Sequence, residues 1–428
     1  HDSGSRRHDM TDPRQGLPAV NTLLDEAGRG GLLKRFPRQA VVDAIRSVLS
    51  EARRSGGAPP SQGWLDAISL CARDWNRTTL IGVVNATGVV LHTNLGRAPL
   101  AEDAYNAAAQ ARRYSTLELD LETGERGSRM DNLRALLREV TGAEDGLVVT
   151  NAAAALFLLL NTLAANSETI VSRGELVEIG GSFRIPDILA KSGSTLLEVG
   201  TTNRTRLRDY ELALSPRTRA LLKVHRSNFE VVGFAEETSV EELVDLGSSR
   251  GVPVIHDIGS GLLVDLTPFG LSGEPLVRES VATGATTVFS GDKLVGGPQA
   301  GILVGPVEIV ERAKKNPLAR ALRPDKFTIA ALEATLALYR FPGLAVQEIP
   351  ALAMLTARTD ELMRRAEILA AKIPNAETLP GESAVGGGAF PGTHLSTTLV
   401  SVVSRSPKAT LEALRQYDLS LIHISEPT

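Results

Sequence analysis

A single cysteine, Cys71, stands in 428 residues, so neither a disulfide framework nor a thiolate metal cluster is available. The seven histidines are scattered, none at a ligand spacing such as H-x-x-x-H, and no metal is expected. Aromatic residues make up only 4%, too few for a stacking ladder that reads splayed bases. No signal-type apolar segment opens the chain, and the longest apolar stretch, residues 152–165, is interrupted by Asn161 and Thr162. That stretch is too short to span a bilayer. A net charge of −4 argues against a protein that coats nucleic acid, although a local basic face remains compatible with it. These absences lead to the expectation of a soluble, cytoplasmic protein without membrane contact. Its 43% hydrophobic content is enough for a sizeable core and more than one domain.

Charge is distributed unevenly. Between Arg29 and Arg54 seven cations (Arg29, Lys34, Arg35, Arg38, Arg46, Arg53, Arg54) face only Asp43 and Glu51. Residues 40–49 carry apolar side chains at helical spacing, and Ser55-Gly56-Gly57-Ala58-Pro59-Pro60-Ser61 breaks the pattern. Residues 1–79 therefore read as a small, helical, basic module, a solvated helix face being the plainer reading of its charge. From Ile81 onward β-rich runs alternate with helical ones. Strands are expected at 146–150, 169–172, 195–199, 220–225, 252–256, 286–290 and 301–304, with a helix at 152–163. Such alternation implies a largely parallel sheet flanked by helices, an α/β domain over residues 80–326. Helices at 329–339 and 354–373, then Gly386-Gly387-Gly388 and a β run at 399–403, suggest a smaller α+β domain over 327–418.

The chemistry centres on Lys293. It follows the β-branched run Thr286-Thr287-Val288-Phe289-Ser290 on a small, polar turn and precedes Gly296-Gly297-Pro298-Gln299-Ala300-Gly301. Upstream, Val252 to Ser260 reads as a buried strand carrying Asp257. A lysine that forms a Schiff base and a carboxylate that keeps a pyridine nitrogen protonated are the pair that a pyridoxal phosphate enzyme needs. On these two residues alone, a surface lysine and a helix-capping aspartate remain open. Thr150-Asn151-Ala152-Ala153-Ala154 adds a strand-to-helix junction with Asn151 as N-cap, where free N–H groups and small side chains suit a phosphate. Ser290, three residues before the lysine, could donate to the same phosphate. Arg97, on the glycine turn of the segment Asn85 to Leu100, and the segments 172–183 and 199–205 are expected at strand ends, where α/β sheets open their ligand crevice.

Together, the segments Asn85–Leu100, Gly174–Asp187, Val199–Asn203, Lys223–Phe229 and Ser290–Gly301 resemble the bacterial selenocysteine synthase family. The resemblance runs from Leu17 to about Gln416. It implies a pyridoxal phosphate enzyme of the aspartate aminotransferase fold type, that is fold type I. The implied reaction converts a serine esterified to tRNA(Sec) into selenocysteine with selenophosphate as donor, by dehydration to an aminoacrylyl intermediate and selenium addition. It implies Lys293 as cofactor lysine and base for the α-proton, Asp257 as partner of the ring nitrogen, and Asp292 as proton donor to the departing hydroxyl. Asn151, Ala152, Ala153 and Ser290 would hold the phosphate; Arg97, Arg320 and Arg323 would clamp selenophosphate. Arg29, Lys34, Arg35, Arg38 and Arg46 would contact tRNA phosphates, and a homo-oligomer, a decamer by resemblance only, is expected.

The resemblance stops short of both ends. Residues 419–428 look like translated adapter sequence fused to a shortened frame, and on that reading the small domain is incomplete; His1 to Asp12 have no family counterpart either. Two other readings compete. One is a related lyase acting on a small phosphorylated amino sugar or amino acid, which the basic module disfavours. The other is a tRNA-binding protein with a lapsed core, against which Lys293, Asp257 and Ser290 speak.

Overall fold

The computed structural model describes residues 17–75, 78–179, 183–416 and, for the backbone alone, 420–422. The opening residues 1–16, Gly180 to Ser182 and most of the closing tail lie outside them, although Ser420–Ile422 forms a short strand. The chain divides into two compact units at Val83 and Val84.

The first unit is helical: Val20–Arg29, Leu32–Arg35, Arg38–Arg54 and Trp64–Asp74. Val41, Ile45 and Leu49, four residues apart, form one stripe of the longest helix and pack with Leu23, Ala27, Ile68 and Ala72. The polar positions between them are left on the outer face. Gly31, at φ 78°, makes the left-handed turn that lets the second helix start after only two intervening residues.

The second unit is built on a seven-stranded sheet. In chain order its strands are β1 (Asp145–Val149), β2 (Glu168–Ser172), β3 (Thr195–Val199), β4 (Thr218–Val224), β5 (Val254–Gly259), β6 (Thr286–Ser290) and β7 (Gly301–Gly305). Across the sheet they run β1-β7-β6-β5-β4-β2-β3. Strands β2 to β6 pair parallel, while β7 is antiparallel to both β1 and β6. Neighbouring residues go to opposite faces: Val171, Leu222 and Ile255 join one core cluster, Ile170, Leu221 and Val254 another. Burial on both faces explains why these strands read as continuous apolar runs rather than as alternating ones.

Most boundaries shift by one to three residues from the sequence reading, and two of the differences have a local cause. Strand β5 begins at Val254, not Val252, and continues through Asp257 to Gly259. Pro253 has no N–H to donate, so it enters only as an acceptor for Leu221. The expected helix 354–373 is two helices, Pro350–Leu355 and Thr359–Ala370. The Thr356 hydroxyl turns back onto the Leu352 carbonyl at 2.9 Å, and Arg358 adopts extended backbone that caps the second helix. The β run near 399 belongs to a long hairpin, Ala376–Ala384 with His394–Val402. Its first strand contains Pro380 and Gly381, which hid it from pattern reading.

Candidate active site

Asn151, His225, Asp257 and Ser290 stand at or just past the carboxyl ends of β1, β4, β5 and β6, so the sheet topology alone gathers them on one edge. The β6–β7 connection closes on itself through Gly291 N–H to Ala300 O at 2.8 Å and Gly297 N–H to Gly291 O at 2.8 Å. This tight loop carries Lys293, which is only 5% exposed. Two glycines face the ammonium. A Cβ added to Gly259 would lie 3.7 Å from Lys293 Nζ and 3.8 Å from Ser227 Oγ; one added to Gly388 would lie 3.5 Å and 3.1 Å from the same atoms.

Burial pushes the Lys293 amine below its ordinary range, and the Arg97 guanidinium adds to the effect, against the pull of Asp257, Asp292 and Glu274. Desolvation in turn raises the Asp257 carboxyl to about 6, although Lys293 and the Gly259 amide, 3.1 Å from Oδ1, favour its charged form. Asp292 is engaged at both oxygens. Ser290 Oγ donates to Oδ1 at 2.5 Å and Arg97 Nη1 to Oδ2 at 2.7 Å. For Asp292 to deliver a proton, one of these contacts must first open. Arg97 reaches it from a left-handed backbone, φ 60°, after Gly96 at 88°, and its N–H bonds the His92 carbonyl at 3.0 Å.

At β1 the helix Ala152–Ala164 begins with the Asn151 side chain accepting from the Ala154 amide at 2.9 Å. A Cβ at Gly301 would fall 1.9 Å from the Asn151 carbonyl oxygen, so only glycine lets β7 start against this helix end. The arginine pair sits nearby in the chain trace: Thr150 N–H bonds the Leu322 carbonyl at 2.9 Å. Both arginines are exposed, and Arg323 Nη1 lies 3.5 Å from Glu118, which also holds Arg126 and Arg129. The structure thus joins Asp292, Ser290 and Arg97 by hydrogen bonds, with Lys293 next to Asp292 and within electrostatic reach of Arg97. Among the described residues Arg320 and Arg323 take no part in that group's hydrogen bonds, and Arg323 turns to Glu118 instead.

Sequence reasoning missed a group around His225. His225 Nε2 is 3.4 Å from Glu274 Oε1, and the other Glu274 oxygen accepts from Phe390 N–H at 2.7 Å. Glu274 lies far from any motif, and only the fold places it here. Among the described residues the buried polar atoms without a hydrogen-bond partner include Ser227 Oγ, Ser260 Oγ, His225 Nε2 and Arg97 Nε.

With this geometry in view, the comparisons are specific. Residues 83–424 match the family model described as L-seryl-tRNA selenium transferase, and residues 14–53 match that described as selenocysteine synthase N terminal. The chain belongs to the L-seryl-tRNA selenium transferase family. It is 56% identical to the L-seryl-tRNA(Sec) selenium transferase of Nitratidesulfovibrio vulgaris, covering 94% of this chain and 91% of that one. To the protein of the same name from Solidesulfovibrio magneticus it is 52% identical, over 94% and 89%. Among solved structures, a D-glucosaminate-6-phosphate ammonia-lyase superposes with a TM-score of 0.58 over 80% of this chain and 86% of that one. At 21% identity that likeness is one of fold alone.

The large domain of this selenium transferase family member has the pyridoxal phosphate fold type I, and pyridoxal phosphate is its cofactor. The pocket fits that group. Gly259 and Gly388 leave space beside the buried amine that a side chain would fill, the unpartnered Ser227 and Ser260 hydroxyls await an acceptor or donor, and the Ala152–Ala164 helix offers its N-terminus to an anion. The cations expected to meet tRNA, Arg29, Lys34, Arg35, Arg38 and Arg46, are all exposed on the N-terminal unit. Their partners there are local: Arg29 Nε to the Asp25 carbonyl at 3.5 Å, Arg46 to Asp43 at 3.6 Å, and Arg35 over the Phe36 ring at 5.5 Å. Among the described residues no cluster of His, Cys, Asp or Glu is grouped to hold a metal, and no helix is long and apolar enough to cross a membrane.

Proposed function

We propose that this enzyme converts L-seryl-tRNA(Sec) to L-selenocysteinyl-tRNA(Sec) in the cytoplasm with selenophosphate as the selenium donor. One observation carries the reading: the chain is 56% identical, over 94% of its length, to a transferase of that name. The buried Lys293 pocket accords with it. Bound pyridoxal phosphate supplies the electron sink that makes the serine α-proton removable and lets the β-substituent leave. Lys293 would anchor the cofactor and, with its proton affinity lowered by burial, take the α-proton when released. Asp257, buried at the end of β5, would hold the positive charge of the ring nitrogen. Asn151, Ala152, Ala153 and Ser290 would receive the phosphate, Ser290 turning away from Asp292 to do so.

Hydroxide is a poor leaving group, and Asp292 is the acid proposed to assist it once its Ser290 contact opens. Arg97 is already poised beside Asp292, and it would meet the selenophosphate anion together with Arg320 and Arg323. The two arginines are surface-exposed in the single chain, in keeping with sites completed by a second copy in a homo-oligomer. Arg29, Lys34, Arg35, Arg38 and Arg46 would grip tRNA phosphates by shape and charge rather than by base stacking.

Turnover by the cofactor-loaded protein of seryl-tRNA(Sec) and selenophosphate, read as selenium bound to tRNA, tests the proposal. Selenium incorporation that requires both substrates is expected. No incorporation by a protein that retains its cofactor would refute it.

A further inference from the structure

We propose that Glu274 is a positioning residue that latches the loop Val385–Phe390 over the lysine pocket. Its side chain is fully buried, yet it lies on neither the lysine loop nor a strand of the sheet. One carboxylate oxygen accepts the Phe390 amide at 2.7 Å; the other faces His225 Nε2 at 3.4 Å. His225, which lies beside Glu274 without a hydrogen bond to it, donates its own amide to the Asp257 carbonyl at 2.8 Å, so the latch sits next to the strand that bears the ring-facing carboxylate.

The loop it holds is strained and close. Gly386, Gly387 and Gly388 have φ of 74°, 63° and 69°, and Phe390 takes 48° without being glycine. A buried non-glycine residue in that region persists only where its surroundings over-determine it, and the buried charged acceptor on its N–H is such a constraint. The other end is fixed by Leu91 N–H to the Val385 carbonyl at 2.8 Å, in the segment that leads to Arg97. Between these two anchors the loop passes Gly388 over Lys293 Nζ and Ser227 Oγ with no side chain of its own. It therefore forms a ceiling whose height decides how the serine moiety is oriented, while the bulk of the tRNA is gripped elsewhere. This role rests on the proposed reaction for its kinetic consequence only.

The experiment uses the pyridoxal phosphate-loaded full chain as wild type, Glu274→Ala, Glu274→Gln and Gly388→Ala. Loss of a charge-assisted bond in Glu274→Ala should speed amide exchange of residues 385–391 by roughly 10- to 100-fold. Its kcat should fall by about 100-fold, as a misplaced reacting group does, with KM for seryl-tRNA within about 3-fold of wild type. Glu274→Gln keeps an acceptor for Phe390 N–H and should restore both exchange and kcat to within about 5-fold of wild type. Unchanged exchange in Glu274→Ala, a parallel loss in kcat and KM, or no rescue by glutamine would overturn the latch. Should the alanine variant fail to fold, Gly388→Ala disturbs the same ceiling with Glu274 intact, by placing a methyl group 3.5 Å from Lys293 Nζ and 3.1 Å from Ser227 Oγ. It should lower kcat with KM preserved, and an unaltered kcat would overturn the proposal. Absence of turnover in the wild type would instead reject the proposed reaction, while the exchange measurements still judge the latch.

Discussion

Lys293 keeps 5% of its surface and shares its pocket with Arg97, Asp257, Asp292 and Glu274, each close enough to bias its charge. The cations of the N-terminal unit, from Arg29 to Arg46, are exposed, and their partners among the described residues are sequence neighbours such as Asp25, Phe36 and Asp43. In the pocket the low dielectric makes every charge specific and hard to replace. On the module, water and salt screen each charge, so function comes from their sum. The difference teaches where single substitutions should abolish activity and where they should only erode it.

The sharpest way to break the comparison is Lys293→Ala. It should lower turnover by at least about 10⁴-fold and leave no peptide fixed to cofactor after borohydride reduction; cofactor still fixed by borohydride to another lysine of the variant, with turnover retained, would refute the assignment.

Asp257→Asn comes next. A loss of kcat on the order of 10²- to 10³-fold is expected, because the ring nitrogen would lose its counter-charge. Stability should move the other way in cofactor-free protein. The Asp257 carboxyl is raised to about 6 from 3.8, so its favourable contribution is present below pH 3.8 and lost as pH rises through 6. At pH 7.5 the asparagine variant should therefore be more stable than wild type, by up to roughly 3 kcal/mol. Urea titrations at pH 5 and 7.5 check this, and a gain no larger at 7.5 than at 5 would count against it.

Arg323→Ala sits between the two regimes, being half-exposed with Glu118 as partner. It should raise KM for selenophosphate about 10-fold while leaving seryl-tRNA binding within about 2-fold. Equal loss of both would remove Arg323 from the anion clamp.

The smallest effects belong to the module. Arg35→Ala or Arg38→Ala should each weaken tRNA binding about 3- to 10-fold and lower the salt slope by roughly 0.7 to 0.9. Filter binding from 50 to 300 mM salt reads both quantities. A single variant that abolished binding would show that the module works by a specific contact, as the pocket does.

Much of this was legible in advance, for identifiable reasons. Strand β6 and the helix after Asn151 were read with nearly correct ends because β-branched runs and an N-cap are local signals. Strand β5 was misplaced by two residues since Val252 has strand propensity but Pro253 lacks a donor. The break at Thr356 was invisible because the apolar spacing continues through it. Lys293 and Asp257 stand out in the sequence by their strand-end context, and the structure buries both within electrostatic reach of each other. His225 and Ser227 lie in the segment Lys223–Phe229 that carries the resemblance but were given no role, and Glu274 lies in no such segment, because local sequence does not distinguish a buried glutamate from a surface one.

The sequence by itself determined the alternation that builds the sheet, the lysine loop, the helix N-terminus and the exposed cations, since each depends on residues within one or two turns of chain. Only the tertiary structure decided that Arg97 meets Asp292 across 195 residues and that Glu274 holds Phe390 across 116. Such contacts depend on crossovers that fold distant strand ends to one edge, and local propensity carries no information about which distant partners will meet there.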